Sequence, residues 1–308
     1  MLRRISLAWE RFSFPLRAWL QLALAATMHA LERDRFRESD FEITELPIEI
    51  PGLDPLFDGY RIVQIADLHL GHWLSPERLR GVVELINRQE PDLVVITGDF
   101  VSYVVHQIAD EMIAAFQALR PKDATLAVLG NHDHWMGAEN VRAILQAGGV
   151  IELANAVYTV VRGESGPDKD WQSCQDCQSS RAAALHIAGV DSVTVGAADL
   201  DAVLAQLPDN APAILLAHEP DYADISAAAG RFALQLSGHS HGGQIVLPRV
   251  GALLRGPGFF KYPNGLYRVG EMWQYTNRGV GTHVFRVRYA CPAEITVVIL
   301  RAPHQIPA

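Results

Sequence analysis

Five predominantly apolar runs in this chain end in the same way. Residues 61–66 (RIVQIA) are followed by Asp67-Leu68-His69, residues 93–97 (LVVIT) by Gly98-Asp99, and residues 125–129 (TLAVL) by Gly130-Asn131-His132-Asp133. Further on, residues 214–217 (ILLA) lead into His218, and residues 232–236 (FALQL) into Ser237-Gly238-His239-Ser240-His241. Such runs are too short for helices and rich in Val, Ile and Leu, so they read as strands buried on both faces. In open α/β sheets the residues just beyond the strand C-terminal ends line one crevice, where ligands bind. The pattern restricts the chain to folds that gather five strand ends in one place.

Amphipathic stretches separate the runs. Residues 76–88 predict a helix with Ser75 as its N-cap and Arg78 in its first turn; residues 108–119 and 138–147 predict two more. Strands alternating with helices mean βαβ units and a largely parallel sheet. After Val150 the strand candidates shorten, to 157–161, 185–188, 214–217, 232–236, 244–247, 265–269, 273–276 and 295–300, with helices at 200–206 and 222–229. A second sheet packed on the first, with helices outside both, accommodates them. Residues 163–181 are polar and rich in Gly, Ser, Asp and Gln, and read as a mobile loop.

The residue types after the runs carry the chemistry. Asp, Asn and His are oxygen and nitrogen donors that suit manganese, iron or zinc, and no thiolate is among them. A shared carboxylate can bridge two cations about 3.5–4 Å apart. Singly, each motif has an ordinary reading: Gly-Asp is common in turns, and a lone histidine is more often a satisfied polar residue than a ligand. Core packing, however, has no reason to place five histidines and four acidic or amide side chains after successive apolar strands. The net charge of −9 argues against a dedicated nucleic-acid binder, which would present a basic face. Three cysteines are too few for a disulfide framework, and Cys174 and Cys177 form a lone C-x-x-C without the second pair that a zinc ribbon needs.

With these motifs in this order, the chain resembles the calcineurin-like metallophosphoesterase family over about residues 41–300. The resemblance implies a four-layer α-β-β-α sandwich, two mixed sheets packed face to face and flanked by helices. It puts a dinuclear site for two divalent ions, manganese by preference and iron or zinc otherwise, at the strand C-terminal ends. By the same likeness Asp67, His69 and His241 would hold one ion, and Asn131, His218 and His239 the other. Asp99 would bridge them. His132 would contact the phosphate and protonate the leaving oxygen, and Asp133 would orient its imidazole. The implied reaction is in-line attack of metal-bound hydroxide on a phosphodiester or pyrophosphate. Residues 237–247, 265–267 and 278–281 further resemble a bacterial membrane-associated branch that includes UDP-2,3-diacylglucosamine pyrophosphatases.

Residues 1–40 differ from the rest, which form the catalytic domain at 41–302. Ile5, Trp9, Phe12, Leu16 and Trp19 recur at helical spacing, with Arg3, Arg4, Arg11 and Arg17 off that stripe. A basic amphipathic segment with two Trp suits a membrane interface, although Pro15 interrupts it. Residues 16–31 are short and polar for a spanning helix, which needs about 20 apolar residues. The segment reads as an anchor placing the protein peripherally on the cytoplasmic membrane; as a signal it would make the protein secreted or periplasmic. The apolar, glycine-punctuated stretch 253–261 could receive acyl chains of a lipid-linked substrate. His72, Trp73, His134 and Trp135 are candidates for the pocket rim. Two alternatives stand beside the lipid reading: a broad-specificity secreted or cell-surface phosphodiesterase, and a non-catalytic scaffold of the same fold.

Overall fold

A computed structural model describes residues 27, 35–102, 108–163, 182–209, 212–252, 256–283 and 285–303. The amphipathic N-terminal stretch, the loop carrying Cys174 and Cys177, and residues 253–255 lie outside the described residues. The first half of the chain supplies β1 (Phe41–Glu49), β2 (Arg61–Ile65), β3 (Leu93–Thr97), β4 (Ala124–Val128) and β5 (Ile151–Glu152). The second half supplies β6 (Ala156–Gly163), β7 (Ala182–Gly189), β8 (Ala213–Leu216), β9 (Leu234–Ser237), β10 (Val246–Leu247), β11 (Gly251–Ala252), β12 (Gly265–Val269) and β13 (Met272–Thr276). The last strand, β14 (Ala293–Arg301), returns to the first group.

Two six-stranded sheets result, in the orders β1-β14-β2-β3-β4-β5 and β12-β13-β9-β8-β7-β6. β2 to β5 run parallel, and so do β7, β8, β9 and β13. The sheets pack face to face. Leu93 and Val95 of β3 meet Ile214 and Leu216 of β8 and Leu234 and Leu236 of β9 in one buried cluster. The alternate residues Val94 and Ile96 face outward, onto Leu79, Val82 and Ile86 of the Pro76–Asn87 helix and Met112 and Phe116 of the Ala109–Gln117 helix. Across the molecule Leu215 packs outward on Val203, Tyr222 and Ala223. Every residue of β3 and β8 is buried because both faces of each sheet are covered, which is why these strands read as unbroken apolar runs. The architecture is the four-layer α-β-β-α sandwich.

Local signals account for most elements. Ser75 Oγ accepts from Arg78 N at 3.2 Å and Pro76 takes the first helical position, where its missing N–H costs nothing. Three features depart from the expected elements. β1 is an additional strand; Pro47 and its three glutamates hide it, and the structure places it on a sheet edge paired only with β14, where a strand proline is tolerated. The Gly-Asn-His-Asp motif itself opens a short helix, Asn131–Met136. Finally, the strand expected at 244–247 shrinks to β10, which pairs with β11 outside both main sheets, because Gln244 turns the chain with φ 54°.

The topology sets up the site. β2, β3 and β4 end side by side in one sheet, and β8 and β9 end together in the other. Pairing continues past the strand ends: Asp67 N donates to Gly98 O and His69 N to Asp99 O, each at 3.0 Å.

Candidate metal centre

The motif residues depart from strand geometry where the strands stop. Asp67, His69, Asp99, His239 and His241 have φ of 51°, 42°, 57°, 69° and 52°, a left-handed conformation that costs a non-glycine residue about 1–2 kcal/mol. Close packing holds them there. A Cβ on Gly130 would lie 2.1 Å from Asp99 Oδ1, and one on Gly98 would lie 2.5 Å from His218 Nδ1. Only glycine lets the three loops approach this closely.

Two sets of side chains converge: Asp67, His69 and His241, and Asp99, His218 and His239. Within each set the donor atoms lie within 4.8 Å of one another. Asp99 connects them, with Oδ2 3.4 Å from His69 Nε2 and 3.3 Å from His218 Nε2. His69 Nε2 faces His241 Nε2 at 3.1 Å, and His239 Nδ1 faces His218 Nε2 at 3.1 Å. His241 Nε2 lies 3.7 Å from Asp67 Oδ1. Asn131 sits between two residues in contact with Asp99, and His132 N donates to Asp99 Oδ1 at 3.0 Å. The Asn131 Oδ1 atom is buried with no hydrogen-bond partner. Paired imidazole nitrogens, a shared carboxylate and an orphaned amide oxygen form a donor set that fits two divalent cations.

The outer contacts fix which ring nitrogen faces inward. His218 Nδ1 donates to Thr97 O at 2.7 Å, which turns Nε2 toward Asp99; burial opposes a charge on this ring, but Asp99 raises its pKa well above the ordinary imidazole value. Ser102 Oγ holds His69 Nδ1 at 2.7 Å, and Pro257 O holds His239 Nε2 at 3.0 Å. Burial keeps His69, His239 and His241 below the ordinary imidazole range, in the neutral form that ligates. Burial opposes ionisation of Asp99, yet His218, His132 and His69 together hold it well below the usual carboxylate range. Burial pushes Asp67 up to about 7, with His218 opposing and Asp99 adding to the rise.

His132 stands apart from both sets. Its ring lies 4.8 Å from that of His69 and 4.9 Å from that of Trp135, and its Nδ1 is buried without a partner. Asp133 corrects an expectation. Its Oδ2 accepts from Asp99 N and Gly130 N at 2.9 Å each, and its Oδ1 from Phe100 N at 2.8 Å and Val101 N at 3.3 Å. The carboxylate therefore clamps the backbone after β3 to the start of the Asn131–Met136 helix and does not bond the His132 imidazole. That location follows from its place as third residue of the helix, where a side chain reaches back to the preceding turn.

The rim candidates divide. Trp135 is 55% exposed beside His132. His72 is buried on Thr282 Oγ1 at 2.8 Å, Trp73 stacks under Arg78 at 3.9 Å, and His134 bonds Asp191 at 2.6 Å. Phe259 lies 5.3 Å from His239, so part of the 253–261 stretch does border the centre. Three contributors carry no strand-end signal in the sequence. Ser102 sits three residues past Asp99; His283 follows no apolar run; Arg288 is half-buried among carbonyls, donating to Arg278 O at 2.7 Å and Gly281 O at 2.6 Å. The short glycine-rich run 278–281 just before His283 was the available cue.

A four-layer sandwich with a two-cation donor set at its strand ends defines a dinuclear metallohydrolase. Residues 60–243 match the family described as calcineurin-like phosphoesterase, and the chain belongs to that family. It is 34% identical over 268 residues to the uncharacterized metallophosphoesterase YkuE of Bacillus subtilis (strain 168), covering 85% of this chain and 86% of the relative. It is 30% identical over 264 residues to the transmembrane protein with metallophosphoesterase domain of Danio rerio, covering 84% of this chain but 57% of that protein. It is 27% identical over 248 residues to phosphodiesterase YaeI of Escherichia coli (strain K12), covering 78% of this chain and 82% of the relative. The chain is a metal-dependent phosphoester hydrolase. No helix among the described residues is long and apolar enough to cross a membrane.

Proposed function

We propose that this enzyme cleaves a phosphodiester or pyrophosphate bond in a lipid-linked substrate at a membrane surface. The observation that carries the reading is an amphipathic strip at the metal end of the fold. Phe285, Val287 and Tyr289 are 52%, 50% and 54% exposed, and Arg286, Val287 and Arg288 line a cavity of about 560 Å³ with Arg37, Asp40, Arg78 and Trp73. Apolar side chains facing out beside guanidinium groups suit acyl chains below anionic headgroups. The described chain enters at the same end, since Phe41 pairs with Ala293, and the basic amphipathic segment precedes that point in sequence. The likeness to phosphodiesterase YaeI supports a diester substrate.

In this reading Asp67, His69 and His241 hold one ion, Asn131, His218 and His239 the other, and Asp99 is shared. When bound, the two ions, manganese by preference, supply Lewis-acid charge for phosphoryl oxygens and acidify a water to near neutrality. The chain's own residues do the rest. Thr97 O and Ser102 Oγ keep the His218 and His69 rings in ligating orientation. Because Nδ1 of His132 is buried, its other nitrogen, Nε2, addresses the leaving oxygen. Burial and the neighbouring imidazoles push His132 down to about 4, so it meets substrate as a neutral ring donating an N–H. Trp135 covers its outer side.

The test compares metal-reconstituted protein on a chromogenic diester, a monoester and a nucleotide-diphosphate lipid in mixed vesicles. The diester and the lipid should turn over, the lipid faster on vesicles containing anionic phospholipid. Preference for the monoester would overturn the bond assignment. Equal rates with and without vesicles would overturn the membrane surface.

A further inference from the structure

A sixth imidazole stands at the mouth of the centre. The His283 ring lies 4.7 Å from that of His132, 5.4 Å from that of His69 and 5.9 Å from that of His241. One of its nitrogens is within 4.8 Å of ring nitrogens of His69 and His132. The ring is half-buried, and none of the described residues hydrogen-bonds it.

Its position is fixed from three sides. Gln244, fully buried just past the metal histidine motif, accepts from His283 N at 2.8 Å through Oε1. The same amide donates through Nε2 to Phe285 O at 2.7 Å and Val287 O at 3.0 Å. Thr282 is held by His72 Nδ1 at 2.8 Å. Gly281 packs so tightly that a Cβ there would lie 2.1 Å from Leu68 O. A side chain gripped this firmly by its backbone, with its ring unengaged, is arranged for a ligand from outside the protein.

That ligand is not a third cation. An ion among His69, His132 and His283 would need a nitrogen of His69, whose Nε2 already faces His241 and Asp99 and whose Nδ1 bonds Ser102. We propose that His283 is a substrate-binding imidazole, donating a hydrogen bond to a non-bridging oxygen of the phosphoryl group beside His132. The proposal rests on the phosphohydrolase reading and adds a second imidazole to phosphate recognition. Two rings crossing at 76° would grip different oxygens of one tetrahedral group.

The experiment uses the full chain reconstituted with manganese, as wild type, His283→Ala and His283→Asn. Metal content is measured by elemental analysis, inorganic phosphate affinity by calorimetry, and kcat and KM on a chromogenic diester. His283→Ala should keep both metals and bind phosphate roughly tenfold more weakly, with a rise in KM; His283→Asn, which retains a donor, should recover part of the loss. Loss of one metal in His283→Ala would make the residue a ligand, and unchanged phosphate affinity would make it a bystander. Either result overturns the proposal. Phosphate binding is read without turnover, so a wild-type protein that binds phosphate yet cleaves nothing would sink the hydrolase reading separately.

Discussion

At the scale of single residues, the proposed roles separate holding metal from handling substrate. Asp99 places one carboxylate oxygen within 3.4 Å of two histidines on different sheets, whereas its other oxygen takes the amide of His132. His132 is thereby aligned by the bridging candidate without joining either donor set. Replacing His132 with Ala should leave the metal content unchanged and lower kcat by about 10²–10³-fold, the range for one lost hydrogen-bond donor to developing negative charge. Elemental analysis and initial rates on a diester check this. A metal-deficient His132→Ala protein would return the residue to the ligand set. Asp133 belongs to another category despite its adjacency in sequence, since four backbone amides occupy its carboxylate.

At the scale of elements, buried polar ties hold the two sheets in register at the metal end. Glu294 of β14 accepts from Thr44 Oγ1 of β1 at 2.6 Å, Tyr275 OH of β13 at 2.8 Å, and Arg278 N and Nε at 2.9 and 3.1 Å. Burial disfavours its charge, but Arg278 outweighs that and holds the carboxyl below its usual value of 4.5. A depressed folded pKa contributes stability above pH 4.5 that disappears as pH falls through the folded value. Glu294→Gln should therefore cost about 1.5–3 kcal/mol at pH 7 in denaturant unfolding. The deficit should shrink as pH falls from 4.5 through the lower folded pKa, where wild type protonates as well. A constant deficit at every pH would mean that packing, not charge, is what the substitution removes.

The same scale explains what the sequence disclosed. Strands buried on both faces, such as β3 and β8, leave unbroken apolar runs, and each announces the motif behind it. β1 was illegible because an edge strand can carry Pro47 and three glutamates without penalty. The nine motif residues could be read because they follow strands at once. His283, Ser102, Gln244 and Arg288 could not, because they reach the centre through loop closure between distant segments, which leaves no local period. Asp133 was found and misassigned, since sequence adjacency to His132 does not reveal that the helix turns its carboxylate toward Gly130 and Asp99.

At the scale of the whole molecule, a cluster of buried carboxylates and imidazoles is costly when nothing neutralises it. Burial raises Asp67 to about 7 and Asp133 to about 8. Cations that bind only the folded state should raise the melting temperature, by the equivalent of about 2.7 kcal/mol at a hundredfold excess over Kd. Calorimetry with and without a chelator, followed by manganese addition, checks this. An unchanged melting temperature would mean that the described donors do not take the ion.

One consequence concerns the order of events during biosynthesis. Each donor set draws from both sheets: Asp67 and His69 with His241, and Asp99 with His218 and His239. While only the first half of the polypeptide has left the ribosome, neither set has its full complement. With these donors, full metallation would wait until the histidine loop of the second sheet has emerged and docked. The ions would then enter as late staples, and a chain stalled before His239 would lack a donor for either position.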